Sequence, residues 1–140
     1  REEATKETLR SGWLYTGDLG YFDEDGYIFL SGRAKDFIKR GGEMVAPEEV
    51  EQVLMAHPAV DEAAIIGVND DYWGERVRAI IVLKNGQNAT PEELIDHCRP
   101  HMAGFKRPEH VVFAGELPRN PMGKVLKRVL REQYPEPITD

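Results

Sequence analysis

The stretch VDEAAIIGVNDDYWGERVRAIIVLK, Val60 to Lys84, holds two β-branched runs on either side of a polar loop. β-Branched side chains are stiff at χ1 and pack well on a pleated surface, so VDEAAIIGV and RVRAIIVLK are expected as two strands of one sheet joined through NDDYWGE. Both flanks of this pair read as helices. Upstream, APEEVEQVLMAHP carries Pro47 in a first-turn position, Glu48 and Glu49 beside the positive end of the helix dipole, and Val50, Val53 and Leu54 at helical spacing. His57-Pro58 ends it. Downstream, TPEELIDHC has a capping box of Thr90 and Glu93, Pro91 at the first helical position, and Leu94, Ile95 and Cys98 on one face. HVVFAGEL then reads as a third strand and GKVLKRVLREQY as a terminal helix, with PEPITD left as a frayed tail.

Before the central pair, Tyr21-Phe22 and Tyr27 to Leu30 are β-rich runs separated by DEDG, where Asp25-Gly26 supplies the positive φ of a hairpin turn. The expected fold is α+β: a small mixed sheet of about three strands with packed helices, preceded by a β-hairpin. A chain of 140 residues with 41% hydrophobic and 31% charged residues can bury a real core. Its longest apolar run, AIIVL, falls far short of the ~18 residues that a membrane span needs. One cysteine excludes an internal disulfide framework, and with no signal-like leader the cytoplasm is the default compartment. REEATKETL has helical spacing but little to pack against, and the chain starts at Arg1 rather than methionine, which reads as a piece of a longer protein.

A net charge of −7 argues against a general nucleic-acid surface. The charge is unevenly placed, however. From Ala103 to Arg131 there are seven basic and two acidic residues, and Arg33, Lys35, Lys39 and Arg40 form a second basic group around Asp36. Such islands attract compact anions, or simply form a solvated face.

The Gly123-Lys124 pair invites a phosphate-loop reading, which fails because Pro118 stands where that loop needs glycine and Val125 where it needs Ser or Thr. His97 and His101 lack the carboxylate or cysteine partners of a metal site, and no metal ligands are expected. Cys98, on the apolar face of its helix, is expected to be an inert buried residue. In YTGDLG, Asp18 can accept two hydrogen bonds from a vicinal diol, although a turn-forming aspartate is the simpler reading of those residues alone. Gly41-Gly42 can be a joint, a wall for a narrow ligand, or a loop.

The ordered set TGDLG, GRAKDFIKRGGEMVAPEEVE, DDYWGE, FKRP and LPRNPMGKVLK resembles the carboxyl-terminal region of the adenylate-forming enzymes: acyl- and aryl-CoA synthetases, luciferase and peptide-synthetase adenylation domains. The resemblance runs from about Gly12 to Gln133. It implies a ligase that makes an acyl-adenylate from a carboxylic acid and Mg-ATP, and then passes the acyl group to a thiol. It also implies a division of the chain into the tail end of a large amino-terminal domain (residues 1–32), a hinge (33–36), a mobile small domain (37–134) and a tail (135–140).

On that resemblance Asp18 holds the ribose of ATP with help from Arg33, and Lys35 with Asp36 forms the hinge. Lys124 enters the site for adenylation, and Lys39 lies near the adenylate in the second step. Gly41, Gly42 and Glu43 line the pantetheine tunnel, while Arg40, Lys106 and Arg107 are candidates for the phosphates of CoA. Met44 departs from the Gln, Asn, Lys or Arg of many relatives, and a thioether cannot make their strong hydrogen bond. The motifs look more like acyl-CoA synthetases than peptide-synthetase modules, which implies a fatty or other medium-to-long acid. Mg2+ and most ATP contacts belong to the missing large domain, so the fragment alone is expected to be inactive. The alternatives are an enzyme that loads a carrier protein and a non-catalytic anion- or protein-binding module.

Overall fold

The computed structural model describes residues 2–138. They fall into two compact units that divide between Lys35 and Asp36.

The first unit comprises a short helix α1 (Glu2–Thr8), a ribbon of β1 (Leu9–Arg10) and β2 (Trp13–Leu14), and the expected hairpin of β3 (Asp18–Phe22) and β4 (Ile28–Arg33). The hairpin turn is organised by Asp23, whose Oδ1 accepts the N–H groups of Asp25 and Tyr27 at 3.0 and 2.8 Å, with Gly26 at φ +84°. Tyr21 stacks on Phe29 across the strands with ring centroids 5.4 Å apart. No described residue of this unit is buried, and Trp13, Phe22, Tyr27 and Leu30 are each about 70% exposed. A hairpin with so much open apolar surface lacks a core of its own.

The second unit contains β5 (Ile38–Arg40), β6 (Glu43–Val45), α2 (Pro47–Met55), β7 (Val60–Asp70), β8 (Gly74–Leu83), α3 (Pro91–Cys98), a single 3-10 turn (Gly104–Lys106), β9 (His110–Phe113) and α4 (Lys127–Gln133). Its sheet runs β6-β5-β8-β7, and β9 lies parallel to β8. The α+β class and the three expected strands hold, and two further strands, β5 and β6, make five. Their run is short and polar, with only Ile38 and Val45 buried, so it carries little periodic signal.

β7 and β8 are buried on both faces, which is why their centres are continuously apolar rather than alternating. One face sets Ile65, Val77, Ala79 and Ile81 against Val50 and Leu54 of α2 and Leu94 and Cys98 of α3. The other sets Ala64, Ile66, Ile80 and Val82 against Leu117 and Leu130. Each fully buried Leu or Ile contributes about 2 kcal/mol. Local signals start the helices: Pro47 opens α2, and the α3 capping box is closed by Glu93 N–H to Thr90 Oγ1 (3.2 Å) and Thr90 N–H to Glu93 Oε2 (2.8 Å). Among the described residues no helix is long and apolar enough to cross a membrane.

Two expectations about the carboxyl end change. The terminal helix starts at Lys127, not at Gly123, because Val125 bridges to Arg119 and the Leu126 N–H donates to Pro118 O at 2.8 Å, which takes the preceding backbone groups away from a helix. The tail, through Ile138, is held rather than frayed. Arg78, 2% exposed, donates to Tyr134 O (2.7 Å) and Glu136 O (2.8 Å), Arg76 donates to Ile138 O (2.8 Å), and Ile138 is itself buried. Buried guanidinium groups need acceptors, and here the tail carbonyls supply them.

Candidate functional site

In the first unit, Asp18 and Arg33 are direct cross-strand partners, with carboxylate and guanidinium 3.3 Å apart. Both are partly open to solvent, so the carboxylate keeps lone pairs for a ligand. Nearby, a cavity of about 390 Å³ is lined by Thr16, Gly17, Arg33 and Lys35 among others. Lys35 is exposed in a turn and has no described side-chain partner, whereas Asp36 is held within the second unit by Arg131 at 3.7 Å.

Lys39 and Met44 face each other across the β5–β6 hairpin, both exposed, and Arg40 pairs with Glu43 beside the Gly41-Gly42 turn. The polar stretch NDDYWGE, expected as the loop that joins the two strands, frames this hairpin. Asp70 Oδ1 accepts the N–H groups of Trp73 (2.7 Å) and Tyr72 (2.9 Å), and those bonds, the Trp73 one foremost, hold its carboxyl below the ordinary range. Trp73 O then accepts the Gly41 N–H at 2.8 Å, and Glu75 Oε2 accepts the Lys39 N–H at 2.7 Å. Glu75 can tuck in because residue 67 is glycine: a Cβ there would stand 2.4 Å from Glu75 Oε1.

The two glycines of the turn differ. A Cβ on Gly41 would lie 3.0 Å from the Trp73 ring, so this glycine serves the turn's own packing. At Gly42, with φ +87°, a Cβ would meet nothing within 4 Å; the residue borders open space, as the wall of a channel for a thin ligand must. Trp73 and Glu75 were not expected as site residues. The aromatic pair Tyr72-Trp73 in an otherwise polar loop is the one sequence signal that singles out Trp73, and Glu75 has none.

The three candidate phosphate-binding cations are not equivalent. Arg40 is paired with Glu109 at 2.8 Å, donates to Phe105 O at 3.1 Å and lies over the Trp73 ring at 5.1 Å. Lys106 is taken by both carboxylate oxygens of Glu49, each at 2.8 Å. Arg107 is partly buried and has no carboxylate partner among the described residues, so an anion that reached it would have no acidic side chain to displace.

Lys124 sits in the loop between Leu117 and α4, with an exposed side chain and no side-chain partner among the described residues. The loop is tied to the sheet by an ion pair from Arg119 to Glu62 on β7. Glu62 pairs with Val82 near one end of β8, while Arg40, beside the glycine turn, pairs with Gly74 at the other end. Eight residues of strand separate those anchors, roughly 26 Å at strand rise. The lysine loop and the glycine turn therefore occupy opposite ends of one rigid hairpin.

Among the described residues no group of three or more His, Cys, Asp or Glu side chains could hold a metal ion. His97 Nε2 lies 3.0 Å from Val53 O and its ring stands edge-on to His57, so it links α3 to α2. Cys98 is buried, and burial pushes its thiol up to about 11, only partly countered by Arg107. It should resist alkylation at pH 8 in the folded chain and react fully after denaturation, as thiol titration would show. Folding holds its proton, so its contribution to stability is complete below about pH 9 and is lost as pH rises towards 11.

A family model described as the AMP-binding enzyme C-terminal domain matches residues 49–124. The chain is 46% identical over 136 residues to the 2-succinylbenzoate–CoA ligase of Bacillus cereus (strain Q1), covering 97% of this chain and 28% of that protein. It is 47% identical over 132 residues to the fatty acid–[acyl-carrier-protein] ligase ScoC of Streptomyces coeruleorubidus, covering 94% of this chain and 25% of that one. The crystal structure of ATP-bound MatB from Rhodopseudomonas palustris superposes with a TM-score of 0.87 at 41% identity, covering 96% of this chain and 27% of that structure. The chain thus spans between a quarter and three tenths of the length of these relatives.

Proposed function

Because the chain belongs to the family of AMP-binding enzyme C-terminal domains, we propose that it is the mobile small domain, with the last hairpin of a large amino-terminal domain, of an AMP-forming ligase that joins a carboxylic acid to CoA. The observation that carries the proposal is the separation of the two candidate surfaces, the Lys124 loop and the Gly41-Gly42 turn, at opposite ends of the β7–β8 hairpin. A rigid body cannot present both ends to one reacting carboxyl at once. Two successive reactions at a single place then require the domain to turn between them.

In the first orientation Lys124 approaches a carboxylate as it attacks the α-phosphate of ATP, and its ammonium offsets the repulsion between two anions. Asp18, with Arg33, holds the ribose hydroxyls. In the second, Gly42 borders the pantetheine, Lys39 stands near the adenylate, and Arg107 is better placed than Arg40 or Lys106 to meet a nucleotide phosphate. Lys35 and Asp36 form the hinge. Supporting this, the compact units divide at that bond, Asp36 is anchored to the second unit, and the Lys35 side chain is free of described partners. The boundaries proposed are 1–32 for the large-domain remnant, 33–36 for the hinge and 37 onward for the moving domain, with the docked tail moving as part of it. ATP supplies the AMP that activates the acid as a mixed anhydride, with pyrophosphate leaving from the α-phosphorus, and Mg2+ is assigned to the large amino-terminal domain.

Two relatives of nearly equal identity carry names with different acids and different acceptors. This domain therefore encodes neither strongly, and a fatty acid is the acid we favour from the motifs. An acid panel with the full-length enzyme, offering either CoA or a pantetheinylated carrier protein, tests the reading: CoA thioesters are expected, and transfer to the carrier protein alone would overturn it. In the same assay Gly42→Leu should slow thioester formation from supplied acyl-adenylate by about 10- to 100-fold, with adenylation retained. Wild-type CoA turnover in that variant would remove Gly42 from the channel. A Cβ there meets no neighbour within 4 Å in the fold, and its positive φ costs about 1–2 kcal/mol.

A further inference from the structure

Lys124 is held by its backbone and left free at its tip. Both main-chain polar groups of Lys124 are engaged by one residue: its N–H donates to Asn120 Oδ1 at 2.9 Å, and its carbonyl accepts the Asn120 N–H at 2.9 Å. The same Oδ1 accepts the Met122 N–H at 3.0 Å, and Asn120 O accepts the Gly123 N–H at 2.9 Å. Around this centre, Arg119 donates to Gly123 O at 2.6 Å and pairs with Glu62, and Leu126 N–H closes on Pro118 O at 2.8 Å. Pro121 to Lys124 are exposed, and the core reaches the loop only at its ends, through Leu117 and Val125. Between those ends, what fixes the Cα of Lys124 is this set of hydrogen bonds, anchored through Glu62 to the β7–β8 hairpin.

From this geometry we infer that Asn120 is a positioning residue for adenylation: its side-chain carbonyl clamps the backbone of Lys124 and aims the ammonium, without touching the reacting atoms. The inference rests on the adenylation reading of Lys124. The chemistry selects the residue type. A single carbonyl with two lone pairs can accept two N–H groups that converge on it. Asp offers the same acceptor at the same reach, while Ala offers none. Without the clamp the loop samples many backbone states, and the fraction of domain closures that deliver the ammonium within reach of the transition state falls.

The test uses the full-length enzyme with Asn120→Ala, Asn120→Asp and Lys124→Ala. Asn120→Ala should lower the single-turnover rate of adenylation by about 10- to 100-fold with KM for acid and ATP nearly unchanged. Thioester formation from supplied acyl-adenylate should stay within about threefold of wild type, and Asn120→Asp should restore most of the adenylation rate. Independently of activity, amide exchange in peptides spanning Pro118–Leu126 should accelerate roughly tenfold in Asn120→Ala and not in Asn120→Asp. If Lys124→Ala adenylates normally, the reading of Lys124 fails, whatever Asn120 does. If Lys124→Ala is inactive in adenylation while Asn120→Ala keeps the wild-type rate, slows both half-reactions equally, or exchanges no faster, the clamp alone is overturned.

Discussion

On the proposed function, replacing Lys124 by alanine in the full-length enzyme is expected to lower acyl-adenylate formation by about a hundred- to a thousandfold, the usual effect of removing one preorganised charge donor from a transition state. Thioester formation from supplied acyl-adenylate continues. The split follows from position. The Lys124 side chain is exposed, has no partner among the described residues, and belongs to a loop whose shape is set by Asn120 and Arg119, so its removal leaves the fold intact. On that reading its absence is felt only where the domain would bring it to a carboxylate attacking a phosphate. The glycine turn, at the other end of the β7–β8 hairpin, is untouched. ATP–pyrophosphate exchange and single-turnover transfer from a prepared adenylate measure the halves separately. Equal losses in both would defeat the division of labour between the two ends.

Arg78→Ala destabilises the second unit by about 3 kcal/mol, because it deletes a buried cation together with hydrogen bonds to several acceptors. A melting temperature lower by roughly 10 °C is expected for a chain of this size. Arg78 lies on β8 with its guanidinium turned to the carboxyl-terminal segment: Nε donates to His110 Nδ1 at 3.1 Å, and the other two nitrogens reach Tyr134 O and Glu136 O. Partial desolvation of the ring, and then the guanidinium itself, keep His110 below its ordinary range, which favours the neutral imidazole that accepts this bond. Without Arg78 those carbonyls lose their partner, and the segment from Tyr134 to Ile138 should become open to carboxypeptidase. A calorimetric scan with a timed digestion checks both effects. An unchanged melting temperature with a protected tail would show that α4 and Ile138 hold the segment without the arginine.

The two expectations that failed and the residues that were missed share a cause. PEPITD looks frayed because proline and acidic residues offer no periodic apolar face, yet its carbonyls are what two arginines on β8 need. An arginine between Val77 and Ala79, at the edge of the apolar run of β8, was the visible sign that a distant acceptor had to exist. GKVLKRVLREQY has helical spacing throughout, but its first residues pair with Pro118 and Arg119, and tertiary context overrides propensity there. Trp73 and Asn120 sit in loops and Glu75 at the start of β8, where no local pattern marks their partners. Their roles are defined by the backbone groups of Gly41, Lys39 and Lys124 that they hold.

What the sequence determined by itself was everything governed by neighbours along the chain. The proline and capping-box starts of α2 and α3, the β-branched strands β7 and β8, and the hairpin turn at Asp25-Gly26 depend on contacts within a few residues. The ordered motifs also placed Asp18, Lys35, Gly42 and Lys124 in a recognisable series. Only the tertiary structure decided which cations are already paired, which glycine of the double pair borders open space, and that the lysine loop and the glycine turn lie at opposite ends of one hairpin. Those outcomes depend on which distant groups meet. Burial of a charge, the room beside a Cα and the distance between two loops are properties of pairs of residues far apart in the chain, and local propensity says nothing about them.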